Sequence, residues 1–133
     1  MREILFRGKR TINGDWVYGD FVHGNERKSL RDSIFVYDSE TQSFSDYEIN
    51  PSTLGQYTGL TDKNGKSIFE GDIAKVLQGK DKDIAYVGFE NGAFMLYTKT
   101  GNIYERTLWS YWYNDWDVEV IGNITDNPEL LEK

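Results

Sequence analysis

Tight-turn signals flanking short β-type runs favour strands over long helices in this chain. Asn13-Gly14, Asn64-Gly65, Asn91-Gly92 and Gly101-Asn102 each offer a residue that accepts positive φ where the chain must reverse. Glycine has no Cβ to clash there, and asparagine tolerates the left-handed region. Between these signals lie short runs rich in β-branched and aromatic residues, the pattern of strands. The stretch from Thr58 to Val76 carries the densest punctuation. Its turn at Asp62-Lys63-Asn64-Gly65 leads through Ile68-Phe69 to Glu70-Gly71-Asp72 and on to Ile73 and Val76. Two short extended runs joined by a kink at Gly71 are the expected result.

Taken in order, Glu3 to Arg7 and Trp16 to Val22 predict an N-terminal hairpin across the loop from Gly8 to Asp15. Gly24 to Asp32 is polar and reads as a mobile loop. Ile34 to Tyr37 is an apolar strand, and Ser43 to Ile49 alternates as a half-exposed one. Asn50 before Pro51 predicts a capped helical turn. Ile84 to Phe89 and Ala93 to Tyr97, about Asn91-Gly92, form the clearest hairpin. A further run covers Ile103 to Leu108 and a last strand Val118 to Ile121. Asp126-Asn127-Pro128 then caps a short helical segment, Glu129 to Glu132. The pattern predicts a mainly β fold, a small barrel or sandwich. Its seam lies near Asn50 to Gly55, which divides the chain into a β-rich N-terminal region, 1–50, and a second domain, 51–133.

With 133 residues, 38% of them hydrophobic and 15% aromatic, the chain can bury a core. It contains no cysteine, which excludes disulfides and thiolate metal sites and suits a reducing cytoplasm. The N-terminal MREILFRGKR has no apolar core long enough for a signal peptide or a membrane span, so no membrane partner is expected. The formal net charge of -7 argues against general affinity for phosphate backbones. Arg2, Arg7, Lys9 and Arg10 make the first residues basic, and we read them as exposed charges flanking a strand.

Three blocks carry a family resemblance. They are Ile4-Leu5-Phe6-Arg7-Gly8-Lys9-Arg10 with Gly14 to Gly19; Gly55 to Leu60 through Asp62-Lys63-Asn64-Gly65-Lys66 to Phe69-Glu70-Gly71-Asp72-Ile73; and Glu119 to Ile124 with Asp126 to Leu131. In this order they resemble the YopX family, proteins encoded mainly by bacteriophages and prophages. The resemblance implies an SH3-like barrel in the C-terminal half, with a β-rich N-terminal region packed on it, in the cytoplasm of a bacterial host cell. It implies no activity and transfers no catalytic residue. Thr125 departs from the bulky ring residue expected after Asn123-Ile124.

Hydrolytic chemistry needs a nucleophile, a base and a group to orient the base. The only histidine is His23, at the edge of a loop, and no Gly-x-Ser-x-Gly elbow exists. Zinc lacks ligands here. Asp115, Asp117 and Glu119 alternate, and Glu70 and Asp72 bracket Gly71, but neither group has a calcium-loop spacing. Both read as solvated faces or turn caps. We therefore expect no catalytic residue, metal or cofactor.

The aromatic run Leu108 to Trp116 is the unusual feature. If extended, it presents Trp109, Tyr111 and Tyr113 on one face and Trp112, Asn114 and Trp116 on the other. A small barrel can bury only one of them. Trp109, Tyr111, Trp112, Tyr113 and Trp116 are accordingly the candidate binding residues. The expected function is that of a non-enzymatic phage or prophage accessory protein, a protein-interaction module. It would form a homo-oligomer through this segment or bind a host or phage protein. The alternative is a nucleic-acid binder that stacks bases on aromatics beside the basic N-terminus; the acidic balance tells against it.

Overall fold

Asn91 and Gly92 both take positive φ, 53° and 81°, so the two-residue turn closes as the sequence requires. The pairing on either side of it, Phe89 opposite Phe94 and Val87 opposite Leu96, follows from that turn. The computed structural model describes residues 2–25, 27, 30–100, 103, 105–113 and 116–132, without the side chains of Trp112 and Tyr113. Its strands are β1 (Phe6–Lys9), β2 (Trp16–Val22), β3 (Ser33–Asp38), β4 (Ser43–Glu48), β5 (Gly55–Thr61), β6 (Ser67–Phe69), β7 (Asp72–Gln78), β8 (Asp81–Glu90), β9 (Ala93–Thr98), β10 (Arg106–Thr107) and β11 (Asp117–Asn123). The α-helix among the described residues is α1 (Leu108–Tyr113). The protein is mainly β, in two antiparallel sheets. Among the described residues, no helix is long and apolar enough to cross a membrane. The chain divides into two units, residues 1–57 and 58–133, the division falling inside β5.

In the first unit the strands lie in the order β4-β3-β2-β1-β5. Phe6 is opposite Gly19, Asp20 opposite Phe35, and Ile34 opposite Tyr47. Ile34 and Ile49 are buried, and Phe6 meets Phe21 with ring centroids 5.8 Å apart. β1 begins later than the Glu3 start read from sequence, and it runs through Gly8 rather than ending there. The reason is packing: a Cβ at Gly8 would lie 2.6 Å from Ile49 Cδ1, so glycine is what lets that side chain close over the strand. Asn50 caps its 3-10 turn as expected, its Oδ1 accepting from the Ser52 N–H at 3.1 Å. Within the Gly24 to Asp32 loop, Asn25 and Leu30 form a two-residue bridge, while residues 26, 28 and 29 lie outside the described residues.

The second sheet runs β10-β9-β8-β7-β11. Strand alternation turns Ala74, Val76, Ala85, Val87, Leu96, Val118 and Val120 to one side, where they form a core with Ile68, Ile103, Leu108 and Tyr111. Two sequence expectations fail here. β10 is only Arg106–Thr107, and Leu108 opens a helix instead of ending a strand. Asn127 does not cap the 3-10 turn Pro128–Leu131; its side-chain oxygen accepts the Asn123 N–H at 3.2 Å instead. The Gly101-Asn102 turn lies outside the described residues.

β11 is the last strand of its sheet, and an uncovered edge would expose unpaired backbone. The Asp62 to Lys66 turn occupies it. The Lys63 N–H donates to Val118 O at 3.0 Å, and the Val120 N–H donates to Asp62 Oδ2 at 2.9 Å. The other carboxylate oxygen accepts the N–H groups of Asn64 and Lys66, both at 2.9 Å. Burial pushes the Asp62 carboxyl up. The backbone donors Val120, Lys66 and Asn64, with the Lys66 charge, outweigh burial and hold it below its ordinary value. Asp72 plays a similar local part beyond Gly71, whose φ is 88°: its Oδ2 accepts the Phe69 N–H at 2.8 Å.

Two outcomes follow from these contacts. Gly92→Val is expected to lower the melting temperature, because a β-branched residue in the left-handed region costs roughly 1–2 kcal/mol. A Cβ at this position meets nothing within 4 Å, so the cost comes from the backbone conformation. Asp62→Ala is expected to cost about 1–3 kcal/mol at pH 7, since it leaves buried N–H donors without an acceptor. A lowered folded pKa means that this stabilisation is complete above the unfolded value of about 4 and lost as pH falls through the lower folded value. Denaturant melts across acid pH check both points, and a variant equal to wild type at pH 7 would contradict the role given to Asp62.

Candidate functional site

Thr107 decides where the aromatic run becomes helical. Its Oγ1 accepts the Ser110 N–H at 3.3 Å, an N-cap bond that starts α1 at Leu108. Helical spacing then replaces strand alternation. Leu108 and Tyr111, three residues apart, point into the core and are fully buried, while Trp109 is 57% exposed. The extended reading places Trp109 and Tyr111 on one face; the helix separates them, one to solvent and one to the core. The Trp116 N–H donates to Tyr111 O at 3.2 Å just beyond the helix.

Trp116 is half-buried. Its ring meets Tyr111 edge-on at 4.8 Å and 81°, and the Arg106 guanidinium lies over it at 5.2 Å. Of the five candidate binding residues, the structure therefore gives Tyr111 to the core, makes Trp116 a packing partner of Tyr111, and leaves Trp109 on the surface. The side chains of Trp112 and Tyr113 lie outside the described residues.

Trp109 borders a surface groove. One hollow of about 380 Å³ is walled by Leu60, Phe94, Leu108 and Trp109, with Thr58, Ala93 and Thr107 at its margins. A second, of about 270 Å³, shares Leu60 and Leu108 and extends to Asp62, Lys63, Trp116 and Asp117. Phe94 also carries the exposed Phe89 against it, with ring centroids 5.1 Å apart in a T-shaped contact. On the inner side of the β8–β9 hairpin, burial is thus complete at Val87 and Leu96 and opens at Phe89 and Phe94. Sequence reading gave Phe94 only a strand role and Leu60 only a place in a family block. The one sequence signal near it is Thr107, an N-cap residue type directly before Leu108, and it is weak inside an aromatic run.

The acidic groups beside the groove have structural partners. Asp62 serves backbone N–H groups, and Glu119 pairs with Lys63 at 3.5 Å on a half-exposed surface. Asp117 is exposed, and Asp115 lies outside the described residues. Among the described residues, no three His, Asp or Glu side chains converge as metal ligands do. His23, in the first unit, places Nδ1 2.9 Å from Asp32 Oδ1, which also accepts the Gly24 N–H at 2.5 Å. The ring is largely exposed, so the pair fastens the ends of a loop. The arrangement beside α1 offers apolar contact area and a polar margin.

Fold and site together define a mainly β protein of two sheets with an aromatic groove beside one short helix. The chain belongs to the YopX family: the family model described as YopX protein matches residues 5–132. It is similar to protein EF1440 from Enterococcus faecalis, known from a crystal structure, with a TM-score of 0.59 and 22% sequence identity over 99% of this chain and 100% of that one. At that identity the likeness is one of fold. No curated protein matches the chain.

Two tyrosines provide a titration check on this geometry. Burial pushes the Tyr111 hydroxyl up to about 12. The hydrogen bond from Tyr97 to Glu90 Oε2, at 2.5 Å, pushes Tyr97 up to about 12 as well. Phenolate absorbance of the native protein should show a late step near pH 12, and Tyr97→Phe should remove part of it. The unfolded chain ionises first, near the ordinary value of about 10, so both contributions to stability are lost as pH rises from there toward 12. A late step untouched by Tyr97→Phe would contradict the Glu90 contact.

Proposed function

We propose that this protein is a non-enzymatic protein-interaction module, a phage or prophage accessory protein of the bacterial cytoplasm, that docks a partner protein at the groove beside α1. One observation carries the reading. Trp109 stands on the surface at the rim of a hollow floored by Leu60, Leu108 and Phe94. An exposed tryptophan beside an apolar recess is the composition of an interface hot spot, because it supplies large contact area with few rotatable bonds. The polar margin of Lys63, Glu119 and Asp117 supports the same reading.

We read the second unit as an SH3-like barrel. Its support is the strand order, a meander β7-β8-β9-β10 whose first strand takes the returning β11 at its side. Nucleic acid is the alternative partner, and Arg7, one of the N-terminal cations it would use, is buried rather than exposed. Arg7 and Lys9 lie over Trp16 at 4.7 and 5.6 Å, and Arg10 lies over Tyr47 at 4.5 Å. With a net charge of -7, this supports a protein partner.

The test is recovery of tagged full-length protein from a bacterial host, in parallel with Trp109→Ala. Trp109 is exposed, so the variant should keep its fold and its circular dichroism. A protein recovered with wild type and lost with the variant is the expected result. Recovery that is indifferent to Trp109, or abolished by nuclease, would overturn the reading.

A further inference from the structure

Three Asn-Gly pairs fall at chain reversals: Asn13-Gly14, Asn64-Gly65 and Asn91-Gly92. An asparagine followed by glycine can cyclise, because glycine has no side chain to keep its backbone nitrogen away from the asparagine Cγ. All three asparagines are exposed, so solvent access does not separate them. Hydrogen bonding does. The Gly14 N–H donates to Arg10 O at 2.9 Å, and the Gly65 N–H donates to Asp62 O at 3.0 Å. Asn13 also has its side chain engaged, its Oδ1 accepting the Asp15 N–H at 3.0 Å. Among the described residues, neither the Gly92 N–H nor the Asn91 side chain has a hydrogen-bond partner.

Conformation adds to the contrast. Asn91 and Gly92, at φ 53° and 81°, have the signs of a type I′ turn between the paired residues Glu90 and Ala93. Turning the peptide between them over gives type II′, in which the first residue keeps positive φ and the second takes negative φ. Glycine takes either sign. Both turns close a two-residue hairpin, so the Gly92 nitrogen can swing toward Asn91 Cγ while β8 and β9 stay paired. At Gly14 and Gly65 the same rotation breaks a hydrogen bond.

We propose that Asn91 is a self-modification site, which deamidates in the folded protein through a cyclic imide closed by the Gly92 nitrogen, ahead of Asn13 and Asn64. The Gly92 nitrogen gives up its proton and bonds to Asn91 Cγ, and the side-chain nitrogen leaves with that proton as ammonia. Water then opens the ring at either carbonyl. One opening gives aspartate. The other gives isoaspartate, whose main chain runs through the former side chain and is one methylene longer. Hairpin register is fixed by turn type and loop length, so the longer backbone loosens the Glu90–Ala93 pair and then Phe89 opposite Phe94. Phe94 walls the hollow beside α1. The modification therefore acts on the groove from the hairpin end, whatever partner the groove takes.

The test is to age the intact native protein in mildly alkaline buffer, with a parallel sample in urea, and to map peptides by mass spectrometry that separates isoaspartate from aspartate. In the native protein Asn91 should convert fastest, mainly to isoaspartate. Asn13 and Asn64 should be about threefold to tenfold slower for the hydrogen bond that each must break. In urea the three rates should converge, because no turn remains to hold the glycine N–H groups. A native Asn91 that converts no faster than Asn13 or Asn64 overturns the proposal, as does the same order of rates persisting in urea. Asn91→Asp carries the added charge without the added methylene. It should keep the wild-type amide protection of β8 and β9 beside the turn, and the isoaspartate form separated from aged protein should lose it. An isoaspartate form as protected as wild type, or an Asn91→Asp variant that loses protection equally, would overturn the role given to the longer backbone.

Discussion

The Asp62 carboxylate joins parts of the second unit that local sequence does not join. One oxygen closes its own turn through Asn64 and Lys66, and the other takes the N–H of Val120, 58 residues away. That long bond, with Lys63 N–H to Val118 O, lays the turn along the free side of β11. Without it, an edge strand would face solvent, and the wall of the groove formed by Asp62, Lys63, Asp117 and Val118 would lose its support. The charge is retained inside because backbone donors offset the cost of burial.

Around this fastening the aromatic residues divide by role. Tyr111 fills the core, Trp116 packs edge-on against it, and Trp109 remains outside. The division comes from helix geometry, since neighbours at i and i+2 on a helix point different ways while i and i+3 share a face. A one-turn element set by one threonine hydroxyl thus determines which rings are structural and which are available. The first unit makes its allocation by strand alternation, with Ile34, Phe6 and Phe21 on one face and Tyr18, Tyr37 and Phe44 on the other.

Much of this was legible in the sequence. The Asn91-Gly92 hairpin, the Asn50 cap, the kink at Gly71 and the mainly β character each follow from local chemistry that one or two residues determine. The family membership rests on motifs of the same local kind. The helix was not legible as one, because Trp and Tyr favour strands and the Thr107 cap is a weak signal inside an aromatic run. Nor was the partner of Asp62: a backbone N–H has no identity in sequence, so the bond to Val120 shows only once the fold brings them together. Gly8 misled for a related reason. It marks a turn by composition, and it sits inside β1 because Ile49, distant in sequence, needs the space.

Amide hydrogen exchange at Val120, read against the other β11 and β7 amides, tests the account at its centre. If Asp62 fastens the edge, the Val120 N–H of the wild type is protected to the same degree as the paired amides of β7. In Asp62→Ala, which removes the acceptor, the Val120 amide and its neighbours in the Asp62 to Lys66 turn then lose that protection together, while β7 and β8 keep theirs. A Val120 amide that exchanges freely in the wild type, or that stays protected in the variant, would contradict it.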